Sequence, residues 1–235
     1  MLPVAILAGG LATRLHPLTE EIPKALIEIY GQPFIEWQLK LLSRKGIKKL
    51  VLCVAHKSEM IHDFVGDGKK YGVEIDYSHD GVVRLGTGGA IRKALPLLGD
   101  AFMVLYGDSY LPINYGAIEE DFHSKGKPAM MTVFQNNGAY DSSNVVFDGN
   151  QVLKYAKRNL DTKMTHIDYG LNIFKSSLFE KYPMGSPLDL GDVCSDLSNS
   201  GLLAGHEVHQ RFYEIGSMQG IEDFISYIER NRDDL

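Results

Sequence analysis

The sequence predicts an α/β fold: a doubly wound, Rossmann-like sheet, mixed but mainly parallel, with a smaller and more antiparallel lobe after it. Three observations predict it. Apolar runs of strand length recur at Val4 to Leu7, Lys49 to Val54 and Ala101 to Tyr106, and such unbroken runs suit strands covered on both faces. Segments with helical spacing separate them. The first and third runs are closed by Gly9-Gly10 and Gly107-Asp108, at the carboxyl ends of strands, where open α/β sheets bind ligands.

In chain order, Val4 to Leu7 is the first strand, and Gly9-Gly10 after it admits close backbone approach. Pro17 and Pro23 predict an ordered loop through Thr19 to Ile22 rather than a helix. Leu26 to Ile29 suits a short strand before a Gly31-Gln32 turn. Pro33 to Lys45 is a helix, with Pro33 at its first position, Phe34, Trp37, Leu41 and Leu42 as its apolar stripe and Gly46 as its stop. A strand at Lys49 to Val54, a helix at Lys57 to Phe64 and a strand at Val73 to Tyr77 complete a β-loop-α-β-α-β order. Leu85-Gly86-Thr87-Gly88-Gly89 predicts a second glycine loop, followed by a helix from Ala90 to Leu98 and the strand Ala101 to Tyr106.

The second half is less regular. A helix is expected at Tyr115 to Ser124 and a strand at Met130 to Phe134. Asn144 to Phe147 and Gln151 to Ala156 flank Asp148-Gly149-Asn150, a hairpin signal. Asp168 to Phe174 suits a strand, Leu190 to Ser200 a helix, Glu207 to Ile215 a mainly extended stretch and Gly220 to Arg230 a closing helix. No repeat, low-complexity tract or linker interrupts the chain. The expected organisation is one domain over 1–235, with a wound lobe at about 1–110, a second lobe at about 111–216 and the closing helix at 217–230.

A hydrophobic content of 44% over 235 residues allows a sizeable core, and a net charge of -6 argues against a broad nucleic-acid surface. A phosphate-binding cleft needs only a few local cations and backbone N–H groups. Cys53 and Cys194 sit in apolar surroundings without metal-ligand spacing, so two reduced core thiols are expected. No apolar run approaches the ~18 residues that span a bilayer, and the chain enters a strand at once without a basic leader, so a cytoplasmic protein without membrane partners is expected. A homo-oligomer stays open.

From Gly9-Gly10 the chain continues through three residues to Arg14, two more to Pro17-Leu18-Thr19, and then Pro23-Lys24. Leu85-Gly86-Thr87-Gly88-Gly89-Ala90 and Tyr106-Gly107-Asp108 follow. In type, spacing and order these residues resemble the sugar-1-phosphate nucleotidyltransferases, whose signature is a strand, Gly-Gly-x-x-x-Arg-x-x-Pro-Leu-Thr, then Pro-Lys. The resemblance covers most of the chain. Within the family it is similar to the short, single-domain members that activate heptose 1-phosphate with guanylate or N-acetylmuramate 1-phosphate with uridylate, and no hexapeptide-repeat tail is expected.

The resemblance implies attack by a sugar phosphate oxygen on the α-phosphorus of an NTP, releasing pyrophosphate, with Mg²⁺ as cofactor and no covalent nucleophile. Ala8, Gly9 and Gly10 would contact the nucleotide, and Gly86, Thr87 and Gly88 its base and ribose. Arg14 would face the triphosphate and Lys24 the phosphate oxygens at the reacting centre. Asp108 would ligate Mg²⁺, a hard cation that takes oxygen ligands. The family's second carboxylate is an Asp-x-Gly after an aromatic residue; here the match is Tyr213-Glu214-Ile215-Gly216, so Glu214 is one methylene longer, and it competes with a role before a helix cap at Ser217. Lys157 matches the lysine holding the sugar's phosphate, although Ala156 stands where a Glu is usual. Asp168 and Gly170 match the segment that approaches the sugar ring.

Two rivals stand beside this reading: one shares the opening signature but not a sugar substrate, and the other keeps only the fold. A phosphocholine cytidylyltransferase-like enzyme would need an aromatic cage, for which Tyr140, Tyr155 and Tyr169 are available. A non-catalytic nucleotide- or sugar-sensing subunit would be free to lose Arg14, Lys24 and Asp108, all of which are present. A NAD(P) oxidoreductase is disfavoured, because the first glycine turn lacks the G-x-G-x-x-G order.

Overall fold

The structure is a computed structural model and describes residues 1–10, 15, 18–55, 57–81, 83–158 and 161–232. The first half runs β1 (Val4–Leu7), α1 (Leu18–Glu21), a 3₁₀ turn at Lys24–Leu26, β2 (Glu28–Ile29), β3 (Gln32–Pro33), α2 (Phe34–Arg44), β4 (Lys49–Val54), α3 (Ser58–Val65), β5 (Glu74–His79), α4 (Gly86–Leu98) and β6 (Ala101–Tyr106). The second runs β7 (Ser109–Tyr110), α5 (Tyr115–Lys125), β8 (Ala129–Gln135), β9 (Val145–Phe147), β10 (Val152–Tyr155), β11 (His166–Lys175), α6 (Leu190–Asn199), β12 (Leu203–Val208), β13 (Tyr213–Glu214) and α7 (Met218–Arg230).

One sheet joins both halves. β1 lies between β4 and β6, parallel to both, and β5 adds in parallel beyond β4. The sense reverses at β11, which is antiparallel to both β6 and β8, while β12 runs parallel beside β8. β9 and β10 form the expected antiparallel hairpin. The fold is thus the mixed, mainly parallel α/β sheet that the apolar runs predict.

Side chains alternating along each strand divide the core into two layers. Val4, Ile6, Leu50 and Leu52 face α2, α3 and α5. Ala5, Val51, Phe102 and Val104 face α4 and α6 on the other side. Burying each such aliphatic side chain contributes about 1.5–3 kcal/mol. A third cluster, with Trp37, Tyr110, Ile215 and Phe224, packs α7 and the β7–β13 pair against the outer side of α2. Among the described residues no helix is long and apolar enough to cross a membrane.

Outside the site, three expectations change. Leu18–Glu21 is a helical turn, not an irregular loop. A proline restricts the residue before it, so Pro23 constrains Ile22 and leaves the preceding turn free to coil. Pro33 is the cap residue of α2, and the helix begins at Phe34. The extended stretch expected from Glu207 to Ile215 is two strands, Leu203–Val208 and Tyr213–Glu214, that serve different sheets.

Candidate functional site

Two cavities meet at the carboxyl end of β6. The first, of about 520 Å³, is walled by Ala8, Gly9, Gly10, Lys24, Asp80, Gly86, Thr87 and Asp108. The second, of about 650 Å³, is walled by Tyr140, Lys157, Asp168, Gly170, Arg211 and Glu214. Tyr106 and Asp108 line both. Of the site residues expected from the sequence that the structure describes, all but Gly88 border one cavity or the other. Arg14 lies outside the described residues.

The junction is built by close backbone approach. A Cβ on Gly107 would lie 2.6 Å from the Leu7 carbonyl oxygen and 3.0 Å from Ala8 Cα, so only glycine lets β6 end against β1 here. The next residue, Asp108, turns its carboxylate into the cavities. Lys24, on the turn opened by Pro23, meets it with Nζ 2.7 Å from Oδ2. A cation and an anion, drawn from positions 84 residues apart, therefore share the point where the two cavities touch.

The second glycine segment is not a loop. Gly86 to Gly89 form the first turn of α4, and the Gly88 and Gly89 N–H groups donate to the Leu188 carbonyl at 2.9 and 3.1 Å. The donors left over at a helix start are thus satisfied by a segment about a hundred residues away, which local sequence does not reveal. Gly86 has φ +71°, and its Cβ would lie 2.7 Å from that same carbonyl. Gly88 faces Leu188 rather than the cavity: its Cβ would sit 2.8 Å from Leu188 Cγ. Thr87 and Gly86 are the members of the segment that border the first cavity.

In the second cavity Lys157 is already paired. Its Nζ lies 2.6 Å from Asp189 Oδ1, which also accepts the Gly191 N–H at 2.7 Å and the Thr87 hydroxyl at 3.4 Å. Burial pushes Asp189 up, but the bonds from Lys157 and Gly191 and the lysine's charge outweigh it and hold the carboxyl below its ordinary range. Sequence reasoning missed Asp189. Its only local signal is that of a cap residue before α6, and nothing in the order of residues marks its link to both cavities.

Asp168 stands on β11 beside Gly170, whose N–H it accepts at 3.0 Å, and Asn172 donates to the same oxygen at 3.4 Å. Desolvation pushes its carboxyl up to about 6 against these bonds. Asp80, in the first cavity, is also raised by burial, although the Leu85 N–H and nearby Lys93 and Arg84 oppose this.

Glu214 borders the second cavity with both oxygens engaged: Oε2 accepts the Gly216 N–H and Oε1 the Ser217 hydroxyl at 2.7 Å. Ser217 in turn caps α7 by accepting the Gly220 N–H. The competing role of Glu214 before a helix cap is thus present in the structure. Its strand also abuts the Asp108 turn, because Glu214 pairs with Ser109 and the Ile215 N–H donates to the Asp108 carbonyl at 3.0 Å.

Among the described residues no group of three or more His, Cys, Asp or Glu is poised around a metal position. Mg²⁺ is commonly held by one or two carboxylates plus substrate phosphates and waters, so a carboxylate at the meeting point of two cavities matches that donor chemistry. Asp108 fits it, with Lys24 on its Oδ2 at 2.7 Å and the Ser109 hydroxyl on its Oδ1 at 3.4 Å leaving further lone pairs on both oxygens. Glu214 fits only through lone pairs its turn leaves unused.

Both cysteines are free and buried, as expected. Cys53 borders the first cavity, but burial and then the charge of Asp80 push its thiol up to about 12, which leaves it a poor nucleophile.

A family model described as Nucleotidyl transferase matches residues 4–230. The chain belongs to the nucleotidyl transferase family. It is 31% identical to a UTP–glucose-1-phosphate uridylyltransferase of Synechocystis over 84% of this chain and 55% of that protein. It is 42% identical to an N-acetylmuramate α-1-phosphate uridylyltransferase of Neisseria meningitidis over 48% of this chain and 49% of the relative. The chain spans about half the length of the curated relatives it matches. In fold this nucleotidyl transferase is similar to HddC from Yersinia pseudotuberculosis, solved in complex with GMP-PN, at a TM-score of 0.81 and 23% identity over 97% of this chain and 100% of that one.

Proposed function

We propose that this nucleotidyl transferase moves a nucleotidyl group from an NTP to a sugar 1-phosphate, giving an NDP-sugar and pyrophosphate. The observation that carries the proposal is the shared wall of the two cavities, where Lys24 and Asp108 meet at 2.7 Å. In the reaction a phosphate oxygen of the acceptor forms a bond to the α-phosphorus, the α–β bridging bond breaks, and its electrons leave with pyrophosphate. Such chemistry needs two anions aligned and their growing charge stabilised rather than a protein nucleophile.

The NTP occupies the first cavity. Ala8, Gly9 and Gly10 approach it through backbone, and Gly86 and Thr87 border its base and ribose. Lys24 neutralises phosphate oxygens at the reacting centre, with Arg14 as a second cation on the triphosphate. The sugar 1-phosphate occupies the second cavity, with Lys157 on its phosphate and Asp168 and Gly170 of β11 beside its hydroxyls. Asp108, joined less directly by Glu214, would hold Mg²⁺, which when bound would supply positive charge against the phosphates. Residues 1–235 act as one unit, the wound lobe taking the nucleotide and the later strands the acceptor.

The rival phosphocholine reading keeps its three tyrosines, since Tyr140, Tyr155 and Tyr169 all border the second cavity. It is the less favoured, because Tyr155 and Tyr169 are almost wholly buried and the Arg211 guanidinium, 4.4 Å from the Tyr140 ring centroid, already occupies that ring as a cation. A matrix of NTPs against sugar 1-phosphates and phosphocholine, followed by pyrophosphate release, tests the proposal. Turnover with at least one sugar 1-phosphate is expected; silence across every sugar pair would overturn it.

A further inference from the structure

Gln38 is a polar residue on the buried side of α2, with 1% of its surface exposed. Its side-chain Nε2 donates to two main-chain carbonyls, that of Tyr106 at 3.1 Å and that of Ser109 at 2.7 Å. These two carbonyls bracket Gly107-Asp108. The amide oxygen, Oε1, has no hydrogen-bond partner among the described residues. A buried acceptor left unpaired is destabilising, so a methionine or leucine here would pack without that penalty. Packing alone does not account for a glutamine at this position; its two donated bonds do.

The same turn is fastened from two other directions. The Gly107 N–H donates to the Leu7 carbonyl of β1 at 3.1 Å, and the Asp108 carbonyl accepts the Ile215 N–H at 3.0 Å. Both of those bonds lie on the sheet side or the β13 side. Gln38 supplies the hold from α2, and among the described residues it alone bonds carbonyls on both sides of Gly107-Asp108. The carboxylate has little freedom of its own once its backbone is fixed, because Lys24 meets it at 2.7 Å.

We propose that Gln38 is a positioning residue for nucleotidyl transfer: by clamping the carbonyls of Tyr106 and Ser109, it sets where Asp108 presents its carboxylate at the junction of the two cavities. The proposal rests on the role given to Asp108 above. Gln38 touches neither substrate, and acts through the turn. A displacement of about 1 Å in a reacting group lowers rate by about 100-fold, so the clamp bears on kcat rather than on NTP affinity.

The test pairs Gln38→Met, which keeps the volume and removes both donors, with Asp108→Asn in a double-mutant cycle. Gln38→Met is expected to lower kcat by about 10- to 100-fold, with the NTP KM within about twofold of wild type. In the Asp108→Asn background the same change should lower kcat less than about twofold. Gln38→Asn, which keeps the amide one methylene short, should fall between wild type and Gln38→Met. Amide hydrogen exchange reads the clamp without catalysis: Gly107 and Ile215 should exchange at least about tenfold faster in Gln38→Met while the β4 amides hold their rates. Equal losses of kcat in both backgrounds, or unchanged exchange at Gly107 and Ile215, would overturn the proposal. If wild type turns over no NTP with any sugar 1-phosphate, the reading of the site fails instead, and the exchange rates still decide whether Gln38 holds the turn.

Discussion

The two cavities are built by opposite means. The first is rich in glycine backbone: Gly9, Gly10, Gly86, Gly107 and Gly216 line it beside a few charged side chains, and at Gly86 and Gly107 the neighbouring main chain leaves no room for a Cβ. The second is made of side chains carried on an antiparallel lobe, with Lys157, Asp168, Arg211 and Glu214 arriving from separate strands and loops. A nucleotide's phosphates are the same in every NTP, and backbone with a few cations suits them. A sugar differs from its neighbours by the direction of single hydroxyls, which only side chains distinguish. Changes in the first region should therefore abolish chemistry or folding, and changes in the second should tune acceptor binding.

The junction carries the largest expected effect. Asp108→Asn and Lys24→Ala should each lower kcat by about 10²–10³, because each removes charge stabilisation at the reacting centre. Single-turnover pyrophosphate release measures it, and a kcat within threefold of wild type in either variant would break the assignment. Backbone comes next. Gly107→Ala places a Cβ 2.6 Å from the Leu7 carbonyl, where neither strand can yield, and should cost about 3 kcal/mol or more. Urea unfolding would show it as a lower midpoint at constant slope.

These two regions also differ in how far the sequence revealed them. Gly9, Gly10 and Lys24 lie within one short stretch, and a strand followed by glycines and a proline-anchored cation is legible because its parts are local. Asp108 was legible as the end of a strongly apolar strand. The pairing of Lys157 with Asp189, the capping of Gly88 and Gly89 by Leu188, and the covering of Tyr140 by Arg211 join residues far apart in the chain. No periodicity announces such contacts. Gly86 to Gly89 misled for that reason: glycines signal a loop unless a distant carbonyl completes a helix start. The end of the first glycine stretch, with Arg14, lies outside the described residues.

In the second region Lys157→Ala should raise the acceptor KM about 10- to 100-fold, the worth of a charge-assisted hydrogen bond to phosphate, while the NTP KM moves less than twofold. Asp189→Asn separates support from contact. It removes the charge from the ion pair at 2.6 Å while keeping an oxygen that accepts the Thr87 hydroxyl, and it leaves the Lys157 ammonium for the acceptor. Its KM change should be smaller than that of Lys157→Ala, and initial-rate kinetics on both substrates would rank the two. A larger effect from Asp189→Asn would mean that this carboxylate, rather than the lysine, is the acceptor's main partner.

The subtlest difference between the regions is in pH. Asp168 is held near 6, against an ordinary value of 3.8, so the folded state keeps its proton while the unfolded chain has lost it. Stability contributed by this group is present below pH 3.8 and is lost as pH rises through about 6. The loss is on the order of 3 kcal/mol. Asp168→Asn cannot ionise, so it should match wild type near pH 3.5 in urea unfolding and exceed it near pH 7.5. The functional sign is opposite. The ionised carboxylate accepts hydrogen bonds from hydroxyls on both of its oxygens, so acceptor KM in wild type should rise a few-fold as pH falls through about 6. The acceptor's own phosphate ionises in the same range, and the Asp168→Asn enzyme, which shares that effect, isolates the protein's part. Parallel pH profiles in the two enzymes would remove Asp168 from the acceptor site and leave the lysine to hold the sugar 1-phosphate without it.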